Sequence, residues 1–139
     1  MAITVLTNAQ VIVNGVDLSD HVDQVTVEDM RDSVDITAMG ASNKAYTKGL
    51  GDAKITVEFF QDFAAGKTYA TLQPLIGNTS TVQVEVRPVN AARSSTNPGM
   101  VLQAYLMTFN SLDGKVGDAS KISAEFINGS QSGLTYQTS

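Results

Sequence analysis

The sequence contains no cysteine, so its 139 residues can form neither disulfides nor thiolate metal sites, and they offer no thiol nucleophile. Tryptophan is also absent and histidine occurs once, which leaves little for stacking on a sugar or for a zinc site. No stretch reaches the roughly eighteen apolar residues of a membrane-spanning helix, and the N-terminus lacks the basic start of a signal peptide. We therefore expect a soluble single domain over residues 1–139, with no membrane partner, that acts where it is synthesised.

Basic residues are also few. Nine basic residues stand against fourteen acidic ones, giving a net charge of −5. A phosphate backbone is held by clustered Lys and Arg, so this balance argues against gripping nucleic acid. Half of the acids lie between Asp17 and Asp35, opposed only by Arg31. That run indicates either a solvated strand face or a surface that repels an anion.

What the sequence does have is apolar residues at period two, the spacing of half-buried β-strands. Val11 and Val13 precede Asn14-Gly15, the favoured pair for a type I′ turn, which predicts an opening hairpin. Similar alternation predicts further strands near residues 25–28, 34–37, 54–59, 81–87 and 121–126. Residues 100–109, MVLQAYLMTF, are apolar on both faces and predict a central or interface strand.

Helical spacing is confined to about residues 64–76, where Tyr69, Leu72 and Ile76 share one stripe and Gly77 follows as a C-cap. Pro74 should shorten or kink the last turn. The small polar residues 129–139 predict a flexible or partner-ordered tail. The predicted fold is mainly β, an antiparallel β-sandwich or barrel with one short flanking α-helix.

The connection AMGASNKAYTKGLGD, residues 38–52, is far longer than a two-residue turn requires. Ordering the interior of this loop, residues 39–51, costs roughly 1–2 kcal/mol per residue in backbone entropy. Its large apolar side chains, Met39, Tyr46 and Leu50, return only about 1.5–3 kcal/mol each when fully buried. We expect the loop to be mobile in a free subunit and ordered against neighbouring copies, unless it is simply a flexible surface loop.

Two stretches resemble functional motifs but fail on detail. Gly66-Lys67-Thr68 follows a strand as in a phosphate-binding loop, but Gln61 occupies the position of that motif's first glycine. The cluster Ser19, Asp20, His21 and Asp23 contains the residue types of a catalytic triad or a metal site. Neighbouring residues on a strand point to opposite faces, so a surface turn is the better interpretation.

Other carboxylates also give no catalytic site. Asp17 and Asp20 lack the spacing and glycine of a calcium loop. Glu58, Glu85 and Glu125 lie on polar strand faces, and nothing indicates the apolar pocket that would raise one pKa for acid catalysis. We therefore predict that the protein is not an enzyme and that it has no catalytic residue, cofactor or metal.

The segment order resembles the major tail tube proteins of long-tailed, siphovirus-type bacteriophages. The similarity covers roughly residues 10–130 and includes VIVNGVDLSDHVDQVTVE, DSVDITAMG, ITVEFFQDF and STVQVEVRPV. Residues 35–40 with Gly49-Leu50, and residues 55–63, carry most of it. The resemblance implies a subunit that forms hexameric rings, which stack into a tube for DNA ejection.

In that family the loop at residues 39–51 reaches the adjacent ring, and the terminal arms, here residues 1–9 and 129–139, help to join rings. The resemblance thus assigns inter-subunit contacts to Met39, Lys44, Tyr46, Lys48 and Leu50. It also implies other partners, namely a tape measure and a tail terminator, a place in the virion tail, and assembly in the host cytoplasm.

An acidic lumen would let DNA pass without specific binding, because a basic one would release counterions and hold the duplex. The candidate lumenal acids are Glu28, Asp35, Glu58, Glu85 and Glu125. Two alternatives stay open: the tube protein of a contractile secretion system, and a monomeric β-sandwich that binds a ligand.

Overall fold

A computed structural model describes residues 3–139, so the first two residues of the predicted N-terminal arm lie outside the described chain. The described residues form eight β-strands, one α-helix and one 3₁₀ turn. The strands are β1 (Gln10–Val13), β2 (Val16–Asp17), β3 (Val22–Asp35), β4 (Tyr46–Phe60), β5 (Val82–Arg87), β6 (Gly99–Phe109), β7 (Lys121–Asn128) and β8 (Thr135–Gln137). The helix α1 spans Thr68–Ile76, and the 3₁₀ turn spans Ser19–His21.

All strands belong to one sheet in the order β2-β1-β5-β6-β7-β4-β3, and every pairing is antiparallel. β8 pairs with the first residues of β6, beyond the stretch of β6 that β7 covers. The prediction of a mainly antiparallel β fold with one short helix is confirmed. The sheet is not closed into a barrel, because its path ends at β2 and β3.

One face of this sheet carries the hydrophobic core. Alternate residues of the strands point to the same side, and α1 packs over β6 on that side. The largest fully buried side chains include Phe59, Phe126, Ile55, Leu72 and Leu102. β6 lies in the middle of the sheet, as its apolar sequence predicts, with Leu102, Ala104 and Leu106 buried in the core.

The opening hairpin forms as predicted. Asn14 and Gly15 have φ values of 51° and 81°, both in the left-handed region that a type I′ turn requires. Val13 then pairs with Val16 across the turn. The turn residues thus connect β1 to β2 as predicted, and β1 pairs with β5 on its other side.

The helix is shorter than predicted and its buried stripe is different. It begins at Thr68, whose side-chain hydroxyl donates to the Phe60 carbonyl at 3.1 Å, and residues 64–67 form a turn instead. Thr68, Leu72 and Leu75 are buried, whereas Ile76 is 43% exposed. The stripe predicted through Ile76 was therefore wrong, because a start at Thr68 puts Leu75 on the face that meets the sheet.

The predicted loop at residues 39–51 is also corrected. β3 continues without a break to Asp35, and β4 already begins at Tyr46, so the connection comprises residues 36–45. The two strands predicted near residues 25–28 and 34–37 are thus one strand, with an irregularity in pairing between Arg31 and Ser33.

The C-terminal segment, predicted as a flexible or partner-ordered tail, contains the strand β8 in the subunit itself. Gly99, Met100 and Val101 pair with Gln137, Tyr136 and Thr135 respectively. Small polar residues therefore form a strand here because an unpaired stretch of β6 is available to them.

Candidate assembly surfaces

The longest feature of the molecule is a two-stranded extension of β3 and β4. β7 pairs with β4 only from Lys54 to Phe60, so residues 29–35 and 46–53 pair with each other alone. At roughly 3.3 Å per residue, the stretch from Tyr46 to Ala53 extends about 23 Å beyond the shared sheet. We call residues 29–52 the projecting hairpin.

This projecting hairpin exposes several large apolar side chains. The exposed fractions are Met30 42%, Val34 44%, Ile36 57%, Met39 103%, Tyr46 57% and Leu50 82%. A monomeric soluble protein rarely exposes so many apolar groups in one place, and such patches are typical of interaction sites. The projecting hairpin is therefore the first candidate assembly surface.

Hydrogen bonds connect the end of β3 to the loop that leads into β4. The Ile36 amide donates to the Ala45 carbonyl at 2.9 Å, and the Ala45 amide donates to the Thr37 hydroxyl at 2.8 Å. The Thr37 amide also donates to the Asp35 carboxylate at 2.9 Å. Hydrogen bonds from Thr37 hold the pKa of Asp35 below its usual value.

All five predicted contact residues lie on the projecting hairpin. Met39 and Lys44 lie in the connecting loop, whereas Tyr46, Lys48 and Leu50 belong to β4. Side chains of β3 also lie close to two glycines of β4. A Cβ on Gly51 would lie 2.7 Å from the Arg31 guanidinium, and one on Gly49 would lie 2.9 Å from the Val34 side chain.

The second candidate surface is the side of the sheet opposite the core, which we call the open face. The registers place Glu28 beside Lys54, Glu58 beside Gln24 and Ser123, and Glu125 beside Thr56. Three of the five candidate lumenal acids therefore share this face. Lys54 and Lys121 lie on the same face of β4 and β7, so the three acids outnumber the two lysines there.

The remaining two candidates do not lie in these rows. Asp35 lies near the end of the projecting hairpin. Glu85, predicted on a polar strand face, is only 4% exposed, and its carboxylate lies 2.6 Å from the Arg93 guanidinium and 2.5 Å from that of Arg87. A buried carboxylate neutralised by two arginines adds no repulsive charge to a surface, so the prediction is corrected for Glu85.

Glu85 instead anchors the chain terminus. Hydrogen bonds from Arg93 outweigh the opposing effect of burial and, with Arg87, lower the pKa of Glu85 to about 2. Arg93 also donates to the Gln137 side chain at 2.6 Å, and the Tyr136 hydroxyl donates to Asp29 at 3.2 Å. Sequence reasoning missed this network, although Glu85 and Arg87 two positions apart on one strand were a readable signal for part of it.

His21 links two segments at the end of the sheet away from the hairpin. Its Nδ1 lies 2.7 Å from Asp20 and its Nε2 lies 2.9 Å from Asp62. Burial opposes protonation, but the hydrogen bonds to both carboxylates raise the pKa of His21 overall. The Ser19 hydroxyl donates to Asp17 and not to His21, so the cluster has no nucleophile–base pair and serves as a cross-link.

β3 also has an unusual edge. It is the last strand in the sheet order, and its outer edge has no strand partner among residues 3–139. A long unpaired edge is a template for pairing with another chain. Within the same described residues, no helix has the length and apolar character of a membrane span, and no cluster of His, Asp and Glu could hold a metal ion.

No family profile matches the sequence, and a search of characterised proteins also finds no match. Solved structures do match. A chain of the SPP1 tail tube aligns with a TM-score of 0.72 and 10% identity, covering 95% of this chain and 77% of that one.

A chain in the virion of a native gene transfer agent particle aligns with a TM-score of 0.68 and 8% identity, covering 91% and 95% of the two chains. A chain of the sheath–tube complex of the PVC extracellular contractile injection system aligns with a TM-score of 0.69 and 12% identity. The alignment covers 99% of this chain and 93% of that one. At such low identity the likeness concerns the fold. The fold of this chain is therefore the one found in phage tail tubes and contractile-injection-system tubes, in agreement with the resemblance in the sequence.

Proposed function

We propose that this chain is a structural subunit of a phage-type tail tube, in which hexameric rings stack into a conduit for DNA ejection. The observation that carries the proposal is the fold likeness to the SPP1 tail tube over 95% of the chain. The tail of an empty gene transfer agent particle, solved with C6 symmetry, also aligns with a TM-score of 0.60 and supports six subunits per ring.

The open edge of β3 supports ring formation. Joining this edge to the sheet of a neighbouring copy would pair the unpaired backbone groups and remove a site for uncontrolled aggregation. Repeating the same contact six times closes a ring, because a rotationally symmetric contact generates a closed assembly. The sheets of the six copies then form one inner wall.

The open face suits the inner side of that wall. It bears Glu28, Glu58 and Glu125 against two lysines on the same face of β4 and β7, Lys54 and Lys121. DNA carries one negative charge per about 1.7 Å of helix axis, so a face with excess acid does not hold it. In this arrangement the duplex passes through without specific binding.

The wider setting follows from the same proposal. The subunit would be a component of the virion tail, assembled in the host cytoplasm, with a tape measure and a tail terminator as further partners. The described part of the N-terminal arm exposes Ile3, Val5 and Leu6, which supports a contact with another copy.

The second candidate is the tube of a contractile injection system. It is supported by the match to the PVC sheath–tube complex, which covers 99% of this chain and 93% of that one. Such a tube forms similar rings but carries effectors and works inside a sheath. Genes for a sheath protein beside the gene for this chain would favour this candidate over a DNA conduit.

Negative-stain electron microscopy and light scattering of the concentrated purified protein test the proposal. We expect rings and stacked rods, with a mass that rises with concentration. Particles that remain near the 14.7 kDa of one chain at every concentration would contradict it and favour a monomeric ligand-binding module.

A further inference from the structure

We propose that the C-terminal residues 134–139 stay attached to their own subunit in the assembled tube and fasten the projecting hairpin to the sheet. We call this segment the C-terminal clasp. The inference rests on the proposed tube. It departs from the resemblance in the sequence, which assigns the C-terminal arm to contacts between rings.

The clasp fills a place in the sheet that no other strand of the described chain occupies. β7 pairs with β6 as far as Asn128 opposite Ala104, and β8 continues along the same edge of β6 with Thr135 opposite Val101. β5 pairs with the other edge of β6, and Leu134 packs against the core. A strand from another copy could therefore pair with this stretch of β6 only after the clasp had left it.

An arginine holds the clasp on the side of the sheet away from the core. The Arg93 guanidinium donates to the Gln137 side chain at 2.6 Å and to the Ser139 carbonyl at 3.3 Å. It also donates to the Glu85 carboxylate at 2.6 Å, and Glu85 is buried. Hydrogen bonds with ionised partners are the stronger ones, so Glu85 fixes Arg93 in the position that binds the clasp.

The loop that carries Arg93 is itself held by a buried side chain. Asn97 accepts a hydrogen bond from the Val89 amide at 3.0 Å. Its side-chain nitrogen lies 3.1 Å from the Val89 and Ala92 carbonyls and 3.2 Å from the Ala91 carbonyl. A buried polar network with its partners in place is rigid, so the anchor for the clasp is formed in advance.

On the other side of the sheet the clasp contacts the base of the projecting hairpin. Tyr136 and Gln137 are neighbours on a strand, so their side chains point to opposite faces. The Tyr136 hydroxyl donates to the carboxylate of Asp29, the first residue of the hairpin, at 3.2 Å. Burial and this hydrogen bond raise the pKa of Tyr136, so the hydroxyl keeps its proton at neutral pH.

This contact lies at the point where the hairpin leaves the sheet. A cleft of about 580 Å³ separates residues 49–53 of β4 from the loop at residues 128–134. Among the described residues, the hydrogen bond from Tyr136 to Asp29 is the one hydrogen bond that joins the clasp to the hairpin. Removing one hydroxyl therefore tests the fastening.

Disulfide trapping tests whether the clasp stays in its own subunit, because the chain has no cysteine of its own. Val101 and Thr135 lie opposite each other, and opposed Cα atoms in an antiparallel pair are about 4.5–5.5 Å apart, within range of a disulfide. We expect the double variant Val101→Cys with Thr135→Cys to form its disulfide within each chain. Oxidised subunits should form rods as readily as reduced ones.

A non-reducing denaturing gel of oxidised rods gives the readout. Single chains are expected, and the single variant Thr135→Cys is the matched control for random cross-links between chains. A ladder above that background would place Thr135 against Val101 of another copy and overturn the attachment. Rods that form only after reduction would also overturn it, because the clasp would then have to leave its subunit before assembly.

Hydrogen exchange in the free subunit tests the fastening of the hairpin. Tyr136→Phe removes only the hydroxyl that donates to Asp29. We expect amides at residues 29–35 to exchange roughly threefold to tenfold faster, the effect of losing one hydrogen bond. Tyr69→Phe is the matched control, because Tyr69 lies on α1 against Phe63. Equal exchange of these amides in both variants and the unmodified chain overturns the fastening.

The outcomes separate this inference from the proposed function. Absence of rings and rods in the unmodified protein overturns the proposed function. A ladder in oxidised rods overturns only the clasp, because the tube has then formed. Rods made of single chains with internal disulfides support both.

Discussion

Glu85 shows how one carboxylate can be misassigned from a correct strand pattern. It alternates with Val84 and Val86 as a solvent-facing residue should, and it does point away from the core that contains them. The carboxylate is covered in this part of the sheet, because the Arg87 and Arg93 side chains pair with it and Gln137 of β8 holds Arg93 in turn. Alternation identifies the face of a residue but not what covers that face.

We predict that Glu85→Gln lowers the free energy of unfolding at neutral pH by about 1.5–3 kcal/mol, the range for hydrogen bonds to charged groups. Because the folded-state pKa is lowered from 4.5 to about 2, the carboxylate stabilises the native state above pH 4.5, and this contribution is lost as the pH falls to 2. The variant should therefore be less stable than the unmodified chain at pH 7 and lose less stability on acidification.

Urea unfolding at pH 7 and at pH 3 measures both effects. Glu125→Gln is the matched control, because Glu125 lies on the open face with no ion pair in the described chain and should change stability by less than about 0.5 kcal/mol. Equal losses in the two variants would show that the arginine pairs around Glu85 contribute nothing.

At the scale of elements, the β3–β4 hairpin is the largest departure from the sequence prediction. Gly49 and Gly51 indicate a loop, since glycine is depleted in strands. In the structure they are strand residues, because Arg31 and Val34 from the opposite strand pack closely over them. This cross-strand packing involves residues 15 and 20 positions apart and cannot be predicted from local composition.

The opening hairpin and the helix differ in how far local sequence determines them. Asn14-Gly15 fixes a turn by itself, so the hairpin was predictable from two residues. The start of α1 depends on contacts between Thr68 and the end of β4, so spacing alone placed it several residues early.

We predict that hydrogen exchange separates the two halves of β4. In the free subunit, amides at residues 46–52 should exchange roughly two orders of magnitude faster than those at 54–60, because a lone two-stranded ribbon is marginally stable. In assembled rods the difference should shrink as the hairpin contacts another copy. Comparable slow exchange in both halves of a proven monomer would show that the hairpin needs no partner to be ordered.

At the scale of the whole molecule, the sequence predicted the class of fold and the facing of most residues, but not which strands are neighbours. That Glu28, Glu58 and Glu125 point away from the core follows from local alternation. That they form one surface follows from the pairing of β3, β4 and β7, which is set by contacts between distant segments. Only the three-dimensional structure shows that Glu85 is covered by two arginines and that Asp35 lies near the end of the projecting hairpin.

We predict that changing Glu28, Glu58 and Glu125 together to Lys leaves tubes assembled but slows DNA ejection. The added positive charge would hold the duplex by counterion release, and the slowing should weaken as salt rises. Ejection can be followed by dye fluorescence of the released DNA. The same three positions changed to Gln form the neutral control, whose ejection rate should lie between those of the unmodified chain and the Lys variant. Identical ejection rates in all three proteins would contradict a lumenal role for the open face.

The division of each strand between the core and the open face also has a practical consequence. Core residues such as Ile55 and Val57 alternate with open-face residues such as Thr56 and Glu58, so the two sides of the wall are encoded by separate positions. In the proposed tube, a designer could therefore change positions such as Thr56 and Glu58, for example to admit a different cargo, while leaving the hydrophobic core intact.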